Sequence, residues 1–173
     1  MDKMQRILSF AIRLEKQGQN FYSYYKDQVT NPSTKKIFEQ LAEMEDGHHQ
    51  MLQDKYDEIY GSSELKIISW VVDTNKYIKH PSIFGNQAQQ LPEVEGDDDM
   101  SDLAVIRMAY SIESDFVEFY AAAEKEVDDE GAKKLLDTLK QWEEGHKQFF
   151  HDRYQQMMRR NWSDMNAFFF PEV

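Results

Sequence analysis

Two Glu-x-x-His motifs stand 98 residues apart in this chain, Glu45 with His48 and Glu143 with His146, and thirty residues before each lies a further glutamate, Glu15 or Glu113. A spacing of three is almost one helical turn, so the Glu and His of each motif share a helix face. Carboxylate oxygen and imidazole nitrogen are metal donors, and the chain has no cysteine to add a thiolate. An isolated motif of this kind is usually a solvated i,i+3 pair. The set of six reads differently, because every member falls on an apolar helical stripe. Four uncompensated carboxylates would be very costly to bury there, whereas two divalent cations offset their four charges. Two ions with six protein ligands are served if two of the carboxylates bridge, which leaves each ion short of full coordination. Open positions are what oxygen or peroxide chemistry needs. The mixed donor set suits iron or manganese, and zinc fits the same spacing.

The elements that must position these residues are helices, since the chain has only seven Gly and four Pro. A first stripe reads Met4, Leu8, Ala11, Glu15, Gly18, Tyr22, Tyr25, Val29. Asn31-Pro32 supplies an N-cap and a first-turn proline for a second helix, with Phe38, Leu41, Glu45, His48, Leu52, Tyr56 and Ile59 in line and Gly61 at its end. A third helix starts near Asp102 and carries Ile106, Ala109, Glu113, Phe116, Tyr120, Ala123 and Val127. The fourth starts near Glu130 and carries Leu136, Leu139, Glu143, His146, Phe150 and Met157. Residues 11–22 and 41–52 align without gaps on 109–120 and 139–150, with nine of 24 positions identical, which points to a duplicated helical hairpin.

In each hairpin the two glutamates are roughly 20 Å from the turn at 1.5 Å per residue, so they are level. The expected domain is single, residues 1–173. It comprises a hairpin over about 2–60, a crossover over about 61–101, a second hairpin over about 102–160 and an apolar tail over 161–173. An antiparallel return between helices 2 and 3 would take about two to eight residues, whereas a crossover of about 40 can traverse a bundle some 42 Å long. The expected fold is therefore all-α, an up-down-down-up four-helix bundle. A segment around Ile67 to Val72 should lie along its outside, and a pseudo-twofold axis should exchange the two hairpins.

Composition narrows the partners. With 20 Lys+Arg against 32 Asp+Glu the net charge is -12, the wrong sign for nucleic acid or an anionic membrane. The stretch ILSFAI is flanked by Arg6 and Arg13 and leads into a charged helix, so no secretory signal is expected, nor any membrane span. A cytoplasmic location follows as the expectation.

One Glu plus Glu-x-x-His in each half resembles the ferritin-like di-iron carboxylate proteins, and among them the rubrerythrin-like proteins. The resemblance covers nearly the whole chain outside the crossover and tail. It implies two iron ions, bridged by Glu45 and Glu143, with Glu15 and Glu113 as terminal ligands and His48 and His146 each capping one iron. It further implies an oxidoreductase acting on hydrogen peroxide or dioxygen. Two departures stand out. Rubrerythrins carry an extra Glu three residues after the first ligand of the second half, where this chain has Phe116, so the six-ligand set looks more like a bacterioferritin ferroxidase centre. The absence of cysteine removes the four-Cys iron site of a rubredoxin domain, so electrons must come from an external donor such as a separate rubredoxin-like protein. The alternatives are an iron-storage protein with ferroxidase activity and a structural metal-binding bundle without turnover.

Other residues have narrower expectations. Tyr22 and Tyr120 lie seven residues after Glu15 and Glu113, two turns along the same line, placed either to reach a ligand carboxylate on a facing helix or simply to pack. His49, His80 and His151 fall off the stripes or in the crossover and are set aside as ligands. Gly47 and Gly145 suggest a close helix approach beside the metal. The tail, with Trp162 and three consecutive Phe, should dock on its own bundle or a second subunit, and a homodimer is the expected assembly.

Overall fold

The computed structural model describes residues 2–61 and 100–169, with side chains described for 2–61 and 102–162. Helix α1 spans Lys3–Tyr25 and α2 spans Pro32–Tyr60; α3 spans Met100–Ala123, and α4 spans Glu130–Phe169, with a short 3-10 turn at Glu124–Glu126 between the last two. The starts are set locally. Asp2 accepts from the Gln5 backbone N–H at 2.7 Å, and Asn31 accepts from those of Ser33 and Thr34 at 2.8 and 3.1 Å. Gly61 ends α2 at φ 79°, a left-handed conformation that only glycine adopts cheaply.

The running directions follow from contacts at the two ends of the bundle. At one end, the buried carboxylate of Asp102 on α3 accepts from the Thr30 and Asn31 backbone N–H groups and from the Thr30 hydroxyl at 2.8 to 3.1 Å, tying the start of α3 to the α1–α2 turn. At the other, Lys55 near the end of α2 pairs with Asp129 in the α3–α4 turn at 3.4 Å, and Lys3 at the start of α1 pairs with Glu126. Helices α2 and α3 thus run the same way, and the bundle is up-down-down-up as the crossover length predicts. The segment around Ile67 to Val72 and most of the crossover lie outside the described residues.

Two apolar clusters fill the interior. One contains Ile7, Leu8, Ala11, Leu52, Tyr56, Phe119 and Leu136, and the other Tyr22, Phe38, Leu41, Ile106, Tyr110 and Phe150. Each draws on all four helices. Two sequence expectations need correction. Helix α4 does not stop near residue 160 but continues through Phe169, so most of the presumed tail is the last turns of that helix. Gly47 marks no close approach: it is exposed, and a Cβ built there meets nothing within 4 Å. Gly18 fills that role instead. No described helix is long and apolar enough to cross a membrane.

Candidate metal centre

All six sequence-selected residues converge between the two apolar clusters. Glu15, Glu45, Glu113 and Glu143 are fully buried, and His48 and His146 are 6% and 1% exposed. They form two overlapping groups, Glu15, Glu45, His48, Glu143 and Glu45, Glu113, Glu143, His146, and within each the potential ligand atoms lie within 4.8 Å of one another. The geometry separates the carboxylates into two kinds. Glu45 turns one oxygen to His48 Nδ1 at 3.0 Å and the other to His146 Nδ1 at 3.6 Å; Glu143 does the reverse, at 2.9 Å to His146 and 3.0 Å to His48. Glu15 approaches only His48, at 3.4 Å, and Glu113 only His146, at 3.8 Å.

The donor chemistry fits a pair of cations. Three of the carboxylates each keep a buried oxygen without a hydrogen-bond donor, Glu15 Oε2, Glu45 Oε1 and Glu113 Oε2, while Glu143 Oε1 meets the His48 imidazole at 3.0 Å. Buried acceptors of that kind are costly unless something positive meets them. With no cation bound, protons must do so. Burial and the charge on Glu143 push Glu45 well above the usual carboxylate range and Glu113 up to about 8. For His48 and His146 burial opposes charging, but the surrounding carboxylates outweigh it and raise both. Burial likewise works against Glu143, yet the two imidazoliums hold its carboxylate below the ordinary range.

The tyrosine expectation resolves in favour of contact with the carboxylates. Tyr22 on α1 donates to Glu113 on α3, and Tyr120 on α3 donates to Glu15 on α1, each hydroxyl crossing to the other hairpin. Burial first, and then the charge of the carboxylate it serves, raises each phenol's pKa, so both stay protonated donors. His49 and His151 belong to neither group, and His80 lies outside the described residues.

Two neighbours of the cluster carry no signal in the ligand spacing. The half-buried Trp142 stacks on His48, with centroids 5.0 Å apart and planes at 18°. The Phe116 ring lies against Gly18. Both positions break the internal repeat, Trp142 matching Met44 and Phe116 matching Gly18, and that mismatch is the signal that would have flagged them.

Comparison with known proteins agrees with this picture. A solved structure of a hypothetical protein from Pyrococcus furiosus superposes with a TM-score of 0.69 at 23% identity, over 92% of each chain, a likeness of fold. A search of curated proteins finds no match. The family model for rubrerythrin matches residues 6–154, from the first turns of α1 into α4 and across both Glu-x-x-His motifs. With that span matched over a bundle whose core is a buried carboxylate and histidine cluster able to hold metal, the chain belongs to the rubrerythrin family.

Proposed function

We propose that the protein is a di-iron oxidoreductase of rubrerythrin type, reducing hydrogen peroxide or dioxygen with electrons from an external donor. The observation that carries this reading is the division of labour among the carboxylates. Glu45 and Glu143 each offer one oxygen to either side, as bridging ligands would, while Glu15 with His48 and Glu113 with His146 complete the two ends. Bound as a reduced pair, two irons supply two electrons, the number that converts one hydrogen peroxide and two protons into two waters.

The chain's own residues do the rest. Tyr22 and Tyr120 fix the terminal carboxylates through protons held on their hydroxyls. The apolar clusters on either side exclude bulk water, which strengthens every charge interaction between them. Electrons return from an external donor, such as a separate rubredoxin-like protein or a small reductant, since the 173 residues contain no cysteine for a four-Cys iron site. The test is anaerobic loading with ferrous iron followed by stepwise peroxide. Two irons per chain should bind, and two should be oxidised per peroxide consumed, with turnover restored by a reduced rubredoxin-type donor. Two bound irons that peroxide oxidises no faster than free ferrous iron would refute the proposal.

A further inference from the structure

The duplication pairs each residue of one hairpin with a residue 98 positions later, and two such pairs meet across the middle of the bundle. His48 on α2 and His146 on α4 stack with centroids 6.0 Å apart and planes at 13°. Gly18 on α1 and Phe116 on α3 also meet: ring atoms Cε2 and Cζ both lie 3.1 Å from the position a Gly18 Cβ would take, and Glu45 Cγ lies 3.4 Å from that same position. Equivalent residues in contact must straddle the pseudo-twofold axis. The axis therefore enters the cluster between the imidazoles on the α2/α4 side and leaves it between Gly18 and Phe116 on the α1/α3 side.

This placement has a steric consequence. The imidazoles enter from α2 and α4, and the Phe116 ring stands on the opposite, α1/α3 side, from which an added ligand would approach ions held by these residues. The ring is 2% exposed and Gly18 is buried. Two glycines here would leave a hole on the axis, and two phenylalanines would overlap, whereas one of each closes the gap with a single ring. Gly18 is a poorer helix former than Ala, and the ring seated on it fills the space that an Ala Cβ would take. A wall of this kind offers no hydrogen bond and selects by size alone.

We propose that Phe116, seated on Gly18, is a specificity-determining residue that limits the reacting face of the two-metal site to ligands and oxidants of two or three heavy atoms. This rests on the di-metal reading above. The experiment uses full-length protein loaded with cobalt(II), whose visible bands report added ligands without turnover, titrated with azide and separately with benzoate. Wild type should bind two cobalt ions and azide, and should bind benzoate at least tenfold more weakly than does Phe116→Ala loaded to the same stoichiometry. Phe116→Leu, which keeps apolar bulk and so protects the fold, should fall between them. In the iron-loaded protein the same order should appear as reaction with cumene hydroperoxide relative to hydrogen peroxide. Failure to bind cobalt would refute the metal reading itself. Two bound cobalt ions with benzoate binding as well as azide, with neither ligand binding, or with the same benzoate affinity in wild type and both variants, would overturn the role of Phe116 alone.

Discussion

Loading the metal-free protein with two divalent ions at pH 7 should expel about three protons or more, and the count follows from the buried cluster. Glu113, raised to about 8, is roughly nine-tenths protonated at pH 7, and Glu45 lies higher than the ordinary range for the same reasons, burial and the charge of Glu143. His48 and His146 are held charged by the carboxylates around them despite burial. All four must deprotonate to bind metal. The same residues on an exposed surface, with ordinary pKa values, would release only about half a proton, nearly all of it from the imidazoles. Titration with zinc in buffers of different ionisation enthalpy reads the number directly, and release of one proton or fewer would refute the buried, proton-compensated cluster. The stability of the metal-free form gives an independent check on the sign. Glu113 has a folded value of about 8 against 4.5 unperturbed, so its stabilising proton is fully present below 4.5 and lost as pH rises through 8. Stability of the metal-free protein should fall across that window by about 1.4 kcal/mol per pH unit for each excess proton held. The loaded protein should show the opposite trend at the acid end, where protons compete for the ligands. The stabilisation due to metal should therefore grow from pH 5.5 to 8, and a constant difference in melting temperature would contradict it.

Three further outcomes are expected. Glu45→Ala or Glu143→Ala should lose most of both metal ions, since each carboxylate faces both histidines, while Glu15→Ala should be milder; full occupancy in either bridging variant, by elemental analysis, would reverse the roles. Gly18→Ala should destabilise the wild type by up to about 2 kcal/mol, because overpacking against Phe116 at 3.1 Å outweighs the gain of about 1 kcal/mol in helix propensity. In a Phe116→Ala background the same change should stabilise by about 1 kcal/mol, so urea unfolding of the four proteins at one metal loading should give a coupling of about 1–3 kcal/mol, and additivity would deny the contact. Tyr22→Phe and Tyr120→Phe should each cost about 1–3 kcal/mol and by similar amounts, because each leaves a buried carboxylate oxygen without its donor, and a loss in one variant alone would break the reciprocity.

Much of this protein was legible without coordinates. A helix repeats every 3.6 residues, so counting along the chain already put Glu15, Glu45, His48 and their counterparts on inward faces and at one level. The length of the crossover, set against the length of a helix, made parallel α2 and α3 the expectation, and the contacts at the two ends of the bundle bear it out. Even the tyrosine hydroxyls fell within reach of the facing carboxylates once the helical phase was known. Other features depended on how the four helices close against one another. Periodicity states which face a residue occupies but not what stands opposite, so Gly47 suggested a close approach that the fold makes at Gly18, where Phe116 rests. Trp142 lies beside Glu143 in the chain, yet its stacking on His48 joins α4 to α2. Asp102 reads as one more acidic residue at a helix start until the fold brings it to the Thr30 and Asn31 donors, 72 and 71 residues away. The four carboxylates were countable from the sequence, but their protonation was not, because a carboxyl pKa depends on burial and on charges a few ångströms away that only tertiary packing supplies.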